Sequence, residues 1–268
     1  MININKIITT ILNAGIEVLN IYVSNELNVS YKADNSPLTQ ADKNAHQIIC
    51  EGLESTGLPV LSEEGKQLTY SKRATWNRYW LIDPLDGTKE FINHNGEFTI
   101  NIALIVEGKA IAGFVYVPIY DKLYFGSTKT GIFSDHDYTF PGAYRIDNAK
   151  DKPISVALPD IIKDSIVVLG SRSHMNEETQ IYIDNLKGKH PDMTFESRGS
   201  SLKICALAEG SAHYYPRFAP TMEWDTAAAH AVLSAAGGKI INYDTKLEVK
   251  YNKESLLNPH FLATAKGF

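Results

Sequence analysis

The sequence predicts an α/β protein in two parts, an α+β half over residues 1–150 and an α/β half over 151–268. Three observations carry that division. Strand-like runs at 98–106, 110–117 and 122–126 are joined by short turns containing Gly108 and Asp121, as in an antiparallel meander. Beyond residue 152, strand-like and helix-like stretches alternate, which points to layered α/β architecture. Between them, 134–152 (SDHDYTFPGAYRIDNAKDK) is polar and weakly patterned, and it is the expected junction.

The elements follow in order. Residues 4–24 repeat apolar side chains at a helical period, among them Ile4, Ile7, Ile8, Ile11 and Leu12. A polar loop, 32–37, precedes Thr39, the expected N-cap of a second helix running to about residue 54. Short strands are expected at 59–61 and 79–82, ahead of the meander. The second half reads as strand 165–169, helix 176–186, strand 193–195, helix 200–209, strand 211–215, helix 225–236 and strand 238–242.

Composition limits the function classes. The chain has 268 residues, 44% hydrophobic and 21% charged, with a net charge of −5. There is thus no global basic field for a nucleic-acid polymer, although a small anion needs only a local cation cluster. The N-terminal MININKIITTILNAGIEVL has one early Lys and no small-residue cleavage site, so it reads as an amphipathic helix rather than a signal peptide. No run of about 18 apolar residues occurs, and no transmembrane segment is expected. Cys50 and Cys205 lack partners at metal spacing and read as free thiols of a reducing cytoplasm. The expectation is a soluble cytoplasmic protein of open oligomeric state.

The most informative segment is 79–88, YWLIDPLDGT. An apolar strand ends in Asp83, turns through the stiff Pro84 and presents Asp86. Carboxylates so spaced, with the Leu85 carbonyl between them, are hard oxygen donors that suit Mg²⁺. Gly87 allows close backbone approach, and a helix starting near Thr88 would offer N–H groups to a phosphate. The same dipeptides also occur in ordinary turns. An Asp-x-Asp phosphatase motif needs one residue between the acids, and here there are two. An EF-hand loop needs Glu at its twelfth position, where His94 stands.

Glu63 and Glu64 follow another short apolar strand, and repel unless solvated or shared with a cation. Asp225 opens a small-residue helix, WDTAAAHAVL, as an N-cap or a ligand; after eleven intervening residues Gly237-Gly238 ends it. Taken singly, each acid is equally a surface charge or a cap.

Together these motifs resemble the inositol monophosphatase superfamily of lithium-sensitive phosphomonoesterases. Its signature is an acidic pair, Asp-Pro-Ile/Leu-Asp-Gly-Thr/Ser, and Trp-Asp followed after eleven residues by Gly-Gly; Glu63-Glu64, Asp83 to Thr88, Trp224-Asp225 and Gly237-Gly238 match in order. Within it the chain is most similar to the CysQ-type 3′(2′),5′-bisphosphate nucleotidases, through 32–37, 95–99, 199–203 and 215–218.

The resemblance implies a layered αβαβα sandwich with the site between its halves. It implies two or three Mg²⁺ ions held by Glu63, Asp83, the Leu85 carbonyl, Asp86 and Asp225. It places Glu63 and Thr88 at the attacking water, with Asp42 as a water-mediated ligand or proton acceptor. Gly87 and Thr88 would bind the scissile phosphate, and Ser171, His174, Ser200, Lys203 and Arg217 the rest of a small bisphosphonucleotide. The implied reaction takes 3′-phosphoadenosine 5′-phosphate to AMP and phosphate, clearing a by-product of sulfate assimilation. The alternatives are an inositol- or sugar-phosphate phosphatase on the same fold, and an inactive Mg²⁺-binding scaffold. Relatives of this type also imply peripheral association with the cytoplasmic face of the inner membrane as a second location.

Overall fold

The computed structural model of the chain describes residues 1–24, 27–32, 37–66, 68–134, 137–150, 154–160, 165–171 and 175–268. Helix α1 (Ile4–Ser24) follows the predicted period and buries Ile4, Ile7, Ile11, Ala14 and Val18 along one stripe. By length and composition alone α1 is apolar enough to cross a membrane, although the sequence holds no run of about 18 apolar residues. Its buried stripe, however, packs on helix α2 (Gln40–Leu53) and on the large sheet, the place of a core helix. A small pair, β1 (Ser30–Tyr31) with β2 (Pro37–Leu38), precedes α2. Thr39 caps α2 as expected: its hydroxyl accepts the Ala41 N–H at 3.2 Å, and the Asp42 carboxylate accepts the Thr39 N–H at 2.7 Å.

Seven strands then form one sheet in chain order: β3 (Val60–Ser62), β4 (Arg78–Asp86), β5 (Thr99–Val106), β6 (Lys109–Val117), β7 (Lys122–Ser127), β8 (Gly142–Asp147) and β9 (Ile154–Leu158). Only β3 and β4 are parallel. Helices α3 (Tyr70–Arg73) and α4 (Thr88–Ile92) flank β4. The stretch expected as a junction contains β8, and the chain leaves this sheet only after Leu158. Of β8, only Ala143 and Ile146 are fully buried, so it lacks the continuous apolar signal that marks β5 and β6.

The second half contains β10 (Val167–Ser171), α5 (Glu177–Lys189), β11 (Thr194–Arg198), α6 (Leu202–Glu209), β12 (Tyr214–Arg217), α7 (Glu223–Ala235), β13 (Lys239–Asn242) and β14 (Phe261–Thr264). Its sheet has the order β11-β10-β12-β14-β13. The sequence expectations omit β14, which lies antiparallel between β12 and β13.

The faces of the first sheet follow the two-residue period. Trp80, Ile82, Ile102 and Phe114 join the core of α1 and α2, whereas Tyr79, Leu81, Ala103 and Val115 join that of α6 and α7. Helix α5 covers Val168 through Ile183 and Leu186 on the far side of the second sheet. The result is the five-layer αβαβα sandwich. Helix α7 lies very close to the first sheet, since a Cβ on Gly113 would fall 2.0 Å from the Ala228 carbonyl oxygen. That approach requires both the glycine and the buried alanines of α7.

Candidate active site

Parallel pairing sets Ser62 opposite Ile82, so Glu63, just past the end of β3, lies beside Asp83 on β4. The Glu63 N–H donates to the Ile82 carbonyl at 3.2 Å. Strand β4 does not end at Asp83 as expected. Its register slips between Asp83 and Asp86, and pairing resumes with Asp86 opposite Thr99. Pro84 lies within that irregularity, where a missing N–H costs no ladder bond. Asp83 Oδ1 accepts the Leu85 N–H at 3.0 Å, while its buried Oδ2 has no hydrogen-bond partner among the described residues. Gly87 then takes a left-handed φ of +92° to turn the chain into α4.

Asp225 is not the N-cap of α7. The helix begins at Glu223 with Met222 in the cap position, and Asp225 Oδ2 accepts the Met222 N–H at 2.8 Å. This places one carboxylate oxygen each of Glu63, Asp83 and Asp225 within 4.8 Å of one another. Three acids from separate elements thus meet at one point.

Asp86 is bound from the second half of the chain. Its Oδ2 accepts the Ser200 hydroxyl at 2.5 Å and the Ser201 N–H at 2.8 Å. Ser200 is not helical, as the sequence had suggested; it has a φ of +51°, and α6 starts at Leu202. Lys203 is buried, with Nζ donating to the Ser200 carbonyl at 2.7 Å and the Arg198 carbonyl at 3.0 Å. Burial lowers its pKa to about 8, against the opposing pull of Asp86. Arg217 donates from Nη2 to the Pro220 carbonyl at 3.0 Å, and its buried Nε has no partner among the described residues.

Thr88 stands between two acceptors, with Oγ1 3.3 Å from the Leu85 carbonyl and 3.4 Å from Asp42 Oδ1. The other Asp42 oxygen accepts both the Thr39 N–H and hydroxyl, at 2.7 and 2.6 Å. Burial raises the Asp42 pKa to about 6, with the Thr39 bonds opposing and Glu63 and Glu64 assisting. Burial also pushes Glu63, Asp83, Asp86 and Asp225 upward, and neighbouring carboxylates act in the same direction.

A cavity of about 270 Å³ is lined by Glu63, Asp86, Gly87, Thr88 and Asp225 together with Ser171, Ser200, Lys203 and Arg217. Asp83 and Leu85 are buried, and Leu85 packs its side chain into the core of α1 and α2. His174 lies outside the described residues.

Several contributors escaped the sequence reading. Lys32 Nζ lies 2.6 Å from both Glu63 Oε1 and Glu64 Oε1. Burial alone would lower its pKa, but these carboxylates reverse that and keep the ammonium charged. Glu97 Oε2 accepts the Gly199 N–H at 2.8 Å. Thr99 Oγ1 is 2.6 and 2.8 Å from the Ser200 and Ser201 hydroxyls, and Ser201 donates to Asn101 Oδ1 at 2.9 Å. Thr99 and Asn101 did leave a signal, as alternate polar residues in an apolar strand.

The sandwich and its acidic cluster define the class: the chain belongs to the inositol monophosphatase family, whose model matches residues 3–266. Among its relatives, the 3′(2′),5′-bisphosphate nucleotidase CysQ of Escherichia coli K12 is 44% identical over 252 residues, 93% of this chain and 94% of that protein. The protein of the same name from Buchnera aphidicola is 39% identical over 273 residues, covering 98% and 93%. The crystal structure of CysQ from Bacteroides thetaiotaomicron superposes with a TM-score of 0.85 at 43% identity, covering 98% of this chain and 97% of that one. SuhB from Bartonella henselae, 22% identical over 98% and 93% with a TM-score of 0.70, shares the fold.

Proposed function

We propose that the protein is a Mg²⁺-dependent 3′(2′),5′-bisphosphate nucleotidase that converts 3′-phosphoadenosine 5′-phosphate to AMP and phosphate. The observation that carries this reading is a single cavity lined by the acidic residues Glu63, Asp86 and Asp225 and by the cations Lys203 and Arg217. A monophosphate needs only the acidic part, whereas two phosphates call for a second, cationic subsite. The relatives named CysQ agree with that substrate class. Free Cys50 and Cys205 suit work in the reducing cytoplasm.

The donor set fits Mg²⁺. Every candidate ligand is an oxygen, and the buried Asp83 Oδ2 has no hydrogen-bond partner among the described residues, a place that a cation would fill. Glu63, Asp83, the Leu85 carbonyl, Asp86 and Asp225 would hold two or three ions. When bound, such ions offset phosphate charge, acidify a water and steady the leaving oxygen.

The chain's own groups then orient and move protons. Thr88 positions the attacking water beside Glu63, and Asp42 accepts its proton through Oδ1, since Thr39 occupies Oδ2. A carboxyl group with a pKa near 6 is a competent base at neutral pH. The Gly87 and Thr88 N–H groups bind the scissile phosphate. Ser171, Ser200, Lys203 and Arg217 hold the second phosphate and the nucleoside. The water oxygen bonds to phosphorus as the bond to the ribose oxygen breaks, and that oxygen takes up a proton.

Phosphate release with Mg²⁺, with and without Li⁺, tests activity against an inert scaffold. The ratio of kcat/KM for 3′-phosphoadenosine 5′-phosphate over inositol 1-phosphate tests the substrate; a ratio below one would favour the inositol-phosphate alternative. Lys203→Ala and Arg217→Ala are expected to raise KM for the bisphosphate far more than for a simple monoester. Equal losses on both would reject the subsite.

A further inference from the structure

Asn258 stands apart from the acidic cluster, in the segment before β14, and is 6% exposed. Its side chain is directed at the start of α7. Nδ2 lies 2.7 Å from the Met222 carbonyl, 3.0 Å from Thr226 Oγ1 and 3.2 Å from Thr221 Oγ1. The Asn258 N–H donates to the Thr221 carbonyl at 2.8 Å, while Oδ1 is buried without a partner among the described residues. The polar contribution of this side chain is therefore donation to one helix start.

Met222 is the residue gripped from both sides. Its carbonyl accepts from Asn258, and its N–H donates to Asp225 Oδ2 at 2.8 Å. These two groups lie in successive peptides: the Met222 carbonyl held by the Asn258 side chain also accepts the Asp225 N–H at 3.2 Å, and the peptide whose N–H meets the Asp225 carboxylate has its Thr221 carbonyl held by the Asn258 N–H. A second tether reaches the same turn: fully buried Glu223 accepts the Asn252 and Lys253 N–H groups at 2.7 and 3.1 Å, and also the Lys253 ammonium. Arg73, from the first half, donates to Asn252 Oδ1 and to the Lys253 and Glu254 carbonyls at 2.9, 2.6 and 2.8 Å. The 252–258 segment is a clamp between the halves.

Such a clamp has a physical purpose. The Asp225 oxygen sits within 4.8 Å of those of Glu63 and Asp83, and repulsion drives these charges apart until a cation neutralises them. A helix start free to shift would let Asp225 retreat. Groups that hold a ligand in place commonly change metal affinity by about 10–100-fold.

We propose that Asn258 is a positioning residue for Asp225. By holding the Met222 carbonyl it sets the Asp225 carboxylate against Glu63 and Asp83, and so sets the affinity of the site for a divalent cation. The inference rests on the reading of the acidic cluster as a Mg²⁺ site.

The test is calorimetric titration of Mg²⁺ into the substrate-free protein, alongside the Mg²⁺ dependence of phosphate release. For Asn258→Ala, Mg²⁺ affinity is expected to fall about 10-fold, with a matching rise in the half-activating concentration. KM for substrate at saturating Mg²⁺ should change less than about twofold, because Asn258 does not line the substrate cavity. If this variant does not fold, Asn258→Ser, which also cannot span to the Met222 carbonyl, gives the same readout. Unchanged Mg²⁺ affinity in a folded variant, even with a lowered Tm, would make Asn258 merely structural and overturn the proposal. Asp225→Asn separates the two levels. If it loses Mg²⁺ binding while Asn258→Ala keeps it, only the positioning inference fails; if Asp225→Asn itself keeps full affinity, the metal reading fails as well.

Discussion

Asp83, on a strand of the first half, and Asp225, on a helix of the second, bring carboxylate oxygens within 4.8 Å of each other in a buried setting. Two like charges at that distance oppose the fold that brings them together. With Glu63 beside them, they form a centre of stored repulsion that a divalent cation relieves.

Removing one of these charges should therefore stabilise the metal-free protein. Asp83→Asn is expected to raise stability in EDTA by about 1–2 kcal/mol at pH 7. The same variant should lose activity by on the order of 10³-fold and no longer gain Tm on addition of Mg²⁺. Denaturant melts with and without Mg²⁺ would show this. Full activity in Asp83→Asn would end the metal model.

Lys203 supplies a pH signature. Burial brings its pKa down to about 8, so the ammonium is present below that value and lost above it. The kcat/KM for the bisphosphate, which reports free-enzyme groups, should fall as pH rises through about 8. Lys203→Arg should move that limb upward, and a simple monoester should lack it. A profile for the bisphosphate that stays flat to about pH 10 would argue that Lys203 does not meet the second phosphate.

His230 should destabilise the fold in acid. It is buried on α7 with Nδ1 2.7 Å from the Tyr251 hydroxyl, and burial lowers its pKa from 6.5 to about 4. The unfolded chain thus takes up a proton first, and the stability from neutral His230 is lost as pH falls from 6.5 towards 4. The full effect is about 3 kcal/mol. The raised pKa values of the site carboxylates act with the opposite sign, so the measurement is the difference between wild type and His230→Gln. Parallel stability curves between pH 7 and 4 would refute the assignment.

Thr88 should matter for turnover more than for binding. Thr88→Ala removes the hydroxyl between Asp42 and the Leu85 carbonyl, and kcat is expected to fall about 10²-fold. Thr88→Ser, which keeps the hydroxyl, should retain most of the rate. If both variants behaved alike, the methyl group rather than the hydroxyl would be the relevant part.

Gly113→Ala tests the close approach of α7 to the sheet. The new Cβ would lie 2.0 Å from the backbone oxygen of Ala228, which no side-chain rotation can relieve. A loss of about 3 kcal/mol is expected in chemical denaturation, because helix and strand must separate. A loss below about 0.5 kcal/mol would mean that the contact is looser than the geometry states.

The readable parts of the chain were those with a local signature. The stripe of α1, the Thr39 cap of α2 and the alternation in β5 and β6 each arise within a few neighbouring residues, where periodicity and capping chemistry operate. The acids Glu63, Asp83, Asp86 and Asp225 stood out only through their resemblance to a family signature, and the fold gathers Glu63, Asp83 and Asp225 at one point. Strand β8 was not legible, because a strand buried at only two positions resembles a polar loop. Nor was β14, four residues whose identity as a strand depends on partners far away in the chain.

What the sequence alone determined, then, was the family signature and the local elements that bear its residues. Tertiary structure decided their meeting: Lys32 on Glu63, Ser200 on Asp86, Asn258 on the Met222 carbonyl, Asp225 beside Asp83. None of these contacts leaves a periodic trace, because each joins residues whose separation along the chain is bridged only by packing. Burial of the two large cores provides the free energy that holds like charges together, and no local propensity encodes where those cores close.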